Sequence, residues 1–418
     1  MAGRDIDVVV FGATSVTGRQ VARYLSERSA STGQTWAAAA RSPEKLDRTL
    51  ADVGVEGATT IAADVTEQPS LEAMAARAKV VLNLVGPYTS YGRPVIDACI
   101  AGGAHYVDLS GEMPFVARTT RDVHARAEEA GVKVVQVCGF ESLPPDLGVA
   151  LAAEAAQERH GEDLGSAEVA VRTLKLPPGI PRPSDMLSGG TMQSLAQAIG
   201  EDDAERLLDP SCMVADEARC EEIRRASPIS VAPRRTPDGV VMAPMAPAAF
   251  INPAVIHRSA ALDSPSRPVF VYREGMALDG GVATLPLRLA AASGLSAVQV
   301  ATAAVTGARP AIRSRASAAL VRVLPSSGFG PRPDRLEQWL WSMDVNATTT
   351  SGQAVHVSIE GDGHPGYLAT ARMLGEAGLI LAAGGESPDR AGCLTPSLAL
   401  GTESSARFAA AGLRFSVT

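Results

Sequence analysis

The sequence contains few cysteines, and their spacing does not suggest a structural use. Five cysteines are scattered through 418 residues; none forms a C-x-x-C pair or lies near a histidine at metal-ligand spacing. Disulfide frameworks and structural zinc sites both require closely matched cysteine spacing. The sequence therefore predicts reduced thiols and no metal site.

Basic segments are also missing. The net charge is −8, and no run of lysine and arginine interleaved with aromatic residues interrupts this acidic balance. Proteins that bind nucleic acids broadly need a basic surface that displaces counterions from phosphates. We therefore expect no nucleic-acid partner.

Targeting and membrane-spanning signals are weak. The N-terminus has no charged segment followed by an apolar one, so we expect a cytoplasmic protein. One uncharged run, residues 289–308, is long enough to cross a bilayer, but it consists mainly of small residues and includes Gln299. This composition favours a soluble helix or a dimer interface, and it predicts no integral membrane segment.

What the sequence does contain is a regular alternation of short apolar runs and helical patterns. Six such runs occur in roughly the first 140 residues, which is typical of a Rossmann-type, doubly wound parallel α/β sheet. A domain of residues 1–150 follows from this pattern. The predicted strands are 7–11, 36–40, 59–63, 79–88, 105–112 and 132–137.

The pattern changes in the second part of the chain, where proline-rich stretches separate longer strands. It predicts a second, α+β domain with a mixed or antiparallel sheet, comprising residues 151–368. We expect this domain to carry the substrate pocket and a homodimer contact. Residues 369–418 are predicted to form a C-terminal helix and a tail that pack back on the Rossmann domain. The predicted strands are 168–174, 269–276, 336–347 and 355–361.

The opening strand leads into a turn of small residues and then a helix. This arrangement lets a pyrophosphate approach the backbone amides at the helix N-terminus, where the helix dipole favours negative charge. Ser15 replaces the middle glycine of the usual turn, which would cost energy if its φ were positive, although its hydroxyl could donate to a phosphate. The predicted cofactor-binding residues are Gly12, Ala13, Thr14, Ser15, Val16, Thr17 and Gly18.

Residues after the second and third strands are predicted to hold the adenosine end. Arg41 and Ser42 suit the 2′-phosphate of NADP, whereas NAD recognition would need an acidic residue there. Ser42 can also cap a helix that begins at Pro43, and the two roles are compatible. Asp64 and Val65, after the third strand, are placed to contact the adenine.

The remaining strand ends are expected to border the nicotinamide, because ligands of open parallel sheets bind outside the carboxyl ends of the strands. Cys138 is interpreted as a small buried residue and not as a nucleophile, since no histidine is near it in sequence. These predicted cofactor contacts are Val85, Gly86, Pro87, Tyr88, Asp108, Ser110, Gly111, Cys138, Gly139 and Phe140.

Several segments resemble the signature segments of the saccharopine dehydrogenase-like oxidoreductases, and most of all the mycobacterial-type trans-acting enoyl reductases. The resemblance extends over nearly the whole chain. Its segments are GAT (12–14), VGPY (85–88), YG (91–92), YVDLSGE (106–112), CGFES (138–142), PDL (145–147), SGGT (188–191), GDGHPGY (361–367), LGE (374–376) and LTP (394–396). Position 141 is glutamate where the family often has aspartate, so the acid is kept.

The resemblance implies an NADP-dependent enzyme that reduces the double bond of an unsaturated acyl or polyketide chain. That chain would be carried by a synthase that lacks its own working reductase. Reduction of an enoyl thioester needs a hydrogen-bond donor at the thioester oxygen and a proton at the α-carbon.

Two tyrosines beside the fourth strand are the nearest candidate donors. Tyr88 is predicted to polarise the carbonyl, with Tyr91 as the alternate, while packing of either ring over the cofactor is the competing interpretation. Asp108, Glu112 and Glu141 are candidate acids, although carboxylates at strand ends more often cap helices or bind backbone amides.

Two other functions stay open at this stage. One is reduction or oxidation at a carbon–nitrogen bond, for which arginines such as Arg172 and Arg182 would hold the carboxylates of an amino acid. The other is a non-catalytic NADP-binding protein.

Overall fold

The structure, a computed structural model, describes residues 4–179, 189–236, 239–245, 247–325 and 330–418, without the side chains at 191 and 333. Arg182 and Ser188, singled out in the sequence, lie outside the described residues. Two seven-stranded sheets form the framework of the described chain. The helices that cover them are α1 Val16–Thr32, α2 Pro43–Ala51, α3 Gln68–Arg77, α4 Tyr88–Gly102, α5 Met113–Glu129, α6 Leu143–His160, α7 Gly189–Gly200, α8 Glu217–Ala226, α9 Ala248–Asp263, α10 Leu285–Thr306, α11 Pro310–Val323, α12 Thr370–Ala383 and α13 Pro396–Leu400.

The first sheet is parallel throughout, as expected for a doubly wound α/β fold. Its strand order is β13-β6-β5-β4-β1-β2-β3. Six strands come from the N-terminal part, and β13 was not predicted, since three residues are too few to produce a periodic pattern. The strands are β1 Ile6–Phe11, β2 Trp36–Ala40, β3 Thr59–Ala62, β4 Ala78–Asn83, β5 His105–Asp108, β6 Lys133–Val135 and β13 Gly392–Leu394.

The fourth strand is shorter than predicted, and the helix after it begins earlier. Strand β4 ends at Asn83, and α4 begins at Tyr88, the last residue of the predicted strand, and continues through Pro94. The carboxylate of Glu112 accepts hydrogen bonds from the backbone N–H groups of Tyr88 (3.0 Å) and Thr89 (2.7 Å). These are unpaired amides of the first turn, so a side chain distant in sequence caps the helix.

The second sheet is mixed, which confirms the predicted α+β part of the fold. Strands β7 and β10 pair in parallel, and the other neighbours are antiparallel. The order is β14-β12-β11-β7-β10-β9-β8. The strands are β7 Leu164–Lys175, β8 Arg234–Arg235, β9 Val241–Ala243, β10 Val271–Leu278, β11 Leu340–Thr349, β12 Ala354–Asp362 and β14 Leu413–Val417.

Helix α12 lies across one face of the parallel sheet and is held there by a buried carboxylate. Glu376 is fully buried and accepts a hydrogen bond from the hydroxyl of Tyr24 at 2.6 Å. Arg28 and Arg407 form ion pairs with it at 3.1 and 2.9 Å. A buried carboxylate needs such partners, because desolvation without them is expensive. The C-terminal segment thus contributes a helix over the first sheet and one strand to each sheet. The division into domains of residues 1–150, 151–368 and 369–418 remains a prediction.

One helical segment, Val282–Thr306, is long and apolar enough by length and composition to cross a membrane. It includes most of the uncharged run noted in the sequence. Only 22% of its most apolar window is buried within the protein. This helix is therefore neither a core helix nor a typical solvated one.

Candidate active site

The turn after β1 has a geometry that only glycine permits at two positions. Gly12 has a φ of +89°, and a Cβ there would lie 2.9 Å from the carbonyl carbon of Leu84. A Cβ at Gly18 would lie 2.3 Å from the carbonyl oxygen of Gly12. The backbone of the turn therefore packs tightly against itself and against the end of β4. Without bulky side chains in the turn, a ligand can approach the backbone at the start of α1.

Ser15 fits this turn without backbone strain. Its φ is −73°, and its side chain accepts a hydrogen bond from the N–H of Gly18 at 3.0 Å, so it is the N-cap of α1. The loss of the usual glycine therefore costs nothing in conformation. Arg19, in the first turn of α1, also faces the cleft and donates to the carbonyl of Ser15 at 3.4 Å. Sequence analysis missed Arg19 because an arginine at this place in a helix has no distinguishing pattern.

A cleft of about 720 Å³ lies at the carboxyl ends of the parallel strands. Predicted cofactor residues that line it are Thr14, Ser15, Val16, Thr17, Gly86, Pro87, Tyr88, Gly111 and Gly139. The other predicted residues do not line it. Gly12, Ala13, Gly18 and Val85 belong to the turn and the β4 end beneath it, Arg41, Ser42, Asp64 and Val65 follow β2 and β3, and Asp108, Ser110, Cys138 and Phe140 are buried behind it.

The segments that follow β2 and β3 bring Arg41 near Asp64. Hydrogen bonds from the backbone and hydroxyl of Thr66 hold the pKa of Asp64 below its usual range, and the charge of Arg41 lowers that pKa further. Arg41 is exposed. Ser42 accepts a hydrogen bond from the N–H of Lys45 at 3.4 Å and caps α2, as its alternative role requires. The Arg41 guanidinium is therefore accessible to an anion at the edge of the sheet, with Asp64 nearby.

The structure gives the hydroxyl of Tyr88 a backbone partner. This hydroxyl donates to the carbonyl of Asn83 at 3.2 Å, and burial raises the pKa of Tyr88 well above its usual value. Tyr91 is 37% exposed and lies outside the cleft lining. The catalytic roles of both tyrosines stay predictions, and for Tyr88 the contact with Asn83 favours a packing role.

Behind the cleft, a buried carboxylate holds a strained turn. Burial raises the pKa of Asp108 to about 7, although hydrogen bonds from Ser110 and Tyr106 oppose that change. Asp108 also accepts a hydrogen bond from the N–H of Val137 at 3.2 Å. Val137 has a φ of +61°, the only positive φ of a non-glycine residue in the described ranges. Left-handed conformations are rare for β-branched residues, so this strained turn in the cleft wall points to a functional constraint.

Glu141 is a carboxyl group in the cleft wall. Its side chain is partly exposed to the cleft, and burial raises its pKa. Behind it, the Asn252 side-chain amide donates to the backbone carbonyl oxygen of Glu141 at 2.6 Å and to the carboxylate of Glu274 at 2.7 Å. Tyr272 donates to the same Glu274 oxygen at 2.6 Å, and burial raises the pKa of Glu274 to about 7. A cleft carboxyl group with a raised pKa, such as Glu141, is a candidate general acid.

The far wall of the cleft comes from the second half of the chain. Ser194 of α7 donates to Glu112 at 3.0 Å, so the carboxylate that caps α4 also binds this wall. Thr370 accepts a hydrogen bond from the N–H of Phe140 at 3.2 Å. The segments at 188–191 and 361–367 were noted in the sequence, whereas Pro247 and Ile251 gave no signal. The residues of this wall are Gly190, Gln193, Ser194, Leu195, Gln197, Pro247, Ile251, Gly366, Tyr367 and Thr370.

Arg172, a candidate for holding an amino-acid carboxylate, is occupied elsewhere. Its guanidinium forms ion pairs with Asp344 and with Asp279, and it does not line the cleft. Among the described lining residues, Arg19 and Glu141 carry the charged side chains. The structure thus brings the turn after β1 and one acidic side chain to a cleft whose other described walls are mostly uncharged.

The sequence and the fold match known proteins. The sequence profile of the saccharopine dehydrogenase NADP-binding domain matches residues 8–135. A trans-acting enoyl reductase of Mycobacterium ulcerans is 32% identical over 431 residues, which cover 100% of this chain and 99% of that protein. A Mycobacterium tuberculosis protein that bears this name provisionally is 33% identical over 433 residues, covering 99% of this chain and 98% of that protein.

The similarity in fold also extends over the whole chain. Apo saccharopine dehydrogenase (L-Glu forming) from Saccharomyces cerevisiae superposes with a TM-score of 0.55, at 14% identity, over 98% of this chain and 99% of that one. At this identity the likeness concerns the fold alone.

Proposed function

Because this chain belongs to the saccharopine dehydrogenase-like oxidoreductases, in the group of the trans-acting enoyl reductases, we propose that it uses NADPH to reduce the carbon–carbon double bond of an enoyl thioester. The enzyme is an NADP-dependent oxidoreductase. The acyl or polyketide substrate, its delivery by a separate synthase and a cytoplasmic location are parts of the proposal.

The observation that carries this proposal is the character of the cleft beyond the phosphate-binding turn. Leu109, Leu195, Pro247 and Ile251 line it, and Glu141 is the acidic side chain among them. An amino-acid substrate needs cations that hold its carboxylates, and among the described lining residues the one cation is Arg19, in the first turn of α1. An apolar wall with one acid suits an unsaturated acyl chain.

The residues of the cleft fit NADP(H). Gly12 and Gly18 leave no room for a Cβ, which lets a pyrophosphate approach the amides at the start of α1. Arg19 can neutralise the phosphates, and Arg41 can bind the 2′-phosphate. When bound, NADPH supplies a hydride to the β-carbon of the substrate. The protein must then hold the substrate, exclude water and provide a proton.

In this proposal Glu141 donates the proton. Addition of a hydride at the β-carbon leaves an enolate, which is completed by a proton at the α-carbon. Glu141 faces the cleft, and burial raises its pKa, so its carboxyl group holds a proton to a higher pH than an ordinary glutamate does. Polarisation of the thioester carbonyl by Tyr88, or by Tyr91, remains a prediction.

The proposal is tested by measuring NADPH oxidation with three sets of reactions: a panel of enoyl thioesters, a panel of imines and 2-oxo acids with amines, and a reaction without substrate. We expect turnover with enoyl thioesters only. Turnover with the imine panel would favour chemistry at a carbon–nitrogen bond. Cofactor binding without turnover in any set would favour the non-catalytic alternative.

Replacing Arg41 with alanine should weaken NADPH binding by about tenfold to 100-fold, the value of a charge-assisted hydrogen bond to phosphate. NADH binding should change little, because NADH lacks the 2′-phosphate. Calorimetric titration of both cofactors measures the two affinities. As a control, Arg48→Ala removes a neighbouring exposed arginine on α2. Equal losses for NADH and NADPH in Arg41→Ala would contradict the role assigned to this arginine.

A further inference from the structure

Helix α10 has its polar side turned toward the protein. The side chains it buries recur about once per turn, and several form hydrogen bonds. Arg288 donates to the carbonyl of Leu278 at 2.9 Å, and Ser296 donates to that of Val231 at 2.6 Å. The buried positions are Arg288, Ala292, Ser296, Gln299 and Thr306. This pattern is the reverse of an ordinary surface helix, which buries its apolar side.

The outward side of α10 is apolar, and the exposed face of α11 continues it. Leu287 is 72% exposed, Val298 is 64% exposed and, on α11, Ile312 is 55% exposed. Eight of the twelve large hydrophobic residues exposed in the described part of the chain lie between residues 282 and 323. Soluble proteins rarely expose such a patch without a partner. We name these outward faces the α10–α11 surface.

The charged side chains of α10 and α11 are all arginines. Residues 280–333 contain six arginines and no aspartate, glutamate or lysine, in a chain whose net charge is −8. Two of the six, Arg288 and Arg313, are buried, and Arg313 pairs with Glu205 at the edge of the surface. Arg315 and Arg322 are exposed and form no ion pair with any described residue. At helical spacing they share the outward face of α11 with Ile312 and Val323. Cationic and aliphatic side chains therefore lie together on the exposed face of α11.

We propose that the α10–α11 surface binds the face of an anionic lipid bilayer. Helix α10 is about 33 Å long at 1.5 Å per residue, and it would lie in the plane of the bilayer with its aliphatic side among the acyl chains. Arginines beside it would meet the lipid phosphates. Helix α10 does not span the bilayer, since its polar side is hydrogen-bonded to the rest of the protein.

The composition of the surface argues against protein partners. Two copies that met through it would bring Arg315 and Arg322 against the same arginines, and residues 280–333 offer no carboxylate to pair with them. The described residues of this stretch also include no aromatic residue or methionine, the types enriched in the cores of protein interfaces. Binding to a fluid lipid bilayer requires only an exposed aliphatic area and positive charge, and the α10–α11 surface has both.

The surface is also connected to the cleft. Helix α11 packs on α7, and Gln193, which lines the cleft, donates to the carbonyls of Val321 (3.2 Å) and Leu324 (3.1 Å). A bilayer below α10 and α11 would therefore lie one helix layer from the cleft. Membrane binding itself does not rest on the proposed function.

Vesicle flotation of the full chain tests the proposal. The probes are vesicles of pure phosphatidylcholine and of phosphatidylcholine with phosphatidylglycerol in roughly a 2:1 ratio. We expect the protein to float with the anionic vesicles about tenfold more than with the neutral ones, and less so at high salt. Val298→Asp and the double variant Arg315→Glu/Arg322→Glu should each abolish flotation, since all three side chains are exposed and need not affect folding.

The matched control is Arg225→Glu/Arg273→Glu, which makes the same change in charge at exposed arginines outside this surface. It should float like the wild type, with circular dichroism confirming that every variant is folded. The proposal is overturned if the wild type does not float, if it floats equally with both vesicles, or if the control loses flotation as well. Sedimentation tests the alternative that the surface joins two copies of the chain. The proposal is also overturned if the wild type forms a dimer and does not float, and if Val298→Asp dissociates that dimer.

Discussion

Replacing Gly18 with alanine should lower the affinity for NADPH by at least about 100-fold, a loss typical of binding geometry displaced by about 1 Å. The added Cβ would lie 2.3 Å from the carbonyl oxygen of Gly12 and 2.8 Å from the Oγ of Ser15. Neither the turn backbone nor the capping serine can stay in place at such distances. The amides at the start of α1 would then no longer converge on a pyrophosphate.

Calorimetric titration with NADPH measures this loss. Gly281→Ala is the control, because a Cβ at Gly281 meets no atom within 4 Å and its φ of −76° suits any residue. Thermal unfolding of both variants separates a damaged turn from a general loss of stability. Wild-type affinity in a folded Gly18→Ala variant would show that the cofactor does not bind at this turn, and the proposed site would be wrong.

Replacing Glu141 with glutamine should reduce kcat by about 100-fold or more, which is the usual contribution of a general acid. Glutamine keeps the size of the side chain and its place in the cleft, but it has no proton to donate. NADPH affinity should stay at the wild-type value. The raised pKa also predicts a pH profile. Wild-type kcat falls as pH rises through that pKa and the carboxyl group ionises, whereas the low kcat of the variant stays flat.

The variant Tyr88→Phe distinguishes proton donation by Glu141 from the catalytic role predicted for Tyr88. The Tyr88 hydroxyl donates to the carbonyl of Asn83, so its removal should change kcat only a few-fold if it packs and does not react. Steady-state kinetics at several pH values compares the two variants. If Tyr88→Phe loses turnover and Glu141→Gln does not, Tyr88 is the proton donor and the proposal for Glu141 fails.

The sequence was sufficient to predict the parallel sheet and the compact glycine-containing turn after β1, because local physics dominates both. Continuous apolar runs such as Val80–Leu82 are required of strands that are buried on both sides, and helical patterns between them leave few other topologies. Gly18 is required by its close contacts with Gly12, Ala13 and Ser15, and Gly12 by its positive φ. The need for glycine at both positions could therefore be recognised without knowledge of the rest of the fold.

What the sequence did not reveal depends on contacts between distant segments. The start of α4 is set by Glu112, which lies 24 residues away from Tyr88. The apolar wall of the cleft comes from Pro247 and Ile251, which no local pattern distinguishes from ordinary helix residues. The reversed polarity of α10 is also invisible in the sequence, because composition alone does not tell which side of a helix faces the protein.

The segment that begins at Gly392 has a consequence for how this protein is assembled. It supplies β13 at one end of the parallel sheet and β14 at one end of the mixed sheet. During translation, β6 and β12 are therefore unpaired edge strands until this segment is synthesised. Their unpaired backbone N–H and C=O groups could form hydrogen bonds with another chain. The parallel sheet cannot be completed before the ribosome has delivered Leu394, nor the mixed sheet before Val417, so both sheets close only at the end of synthesis.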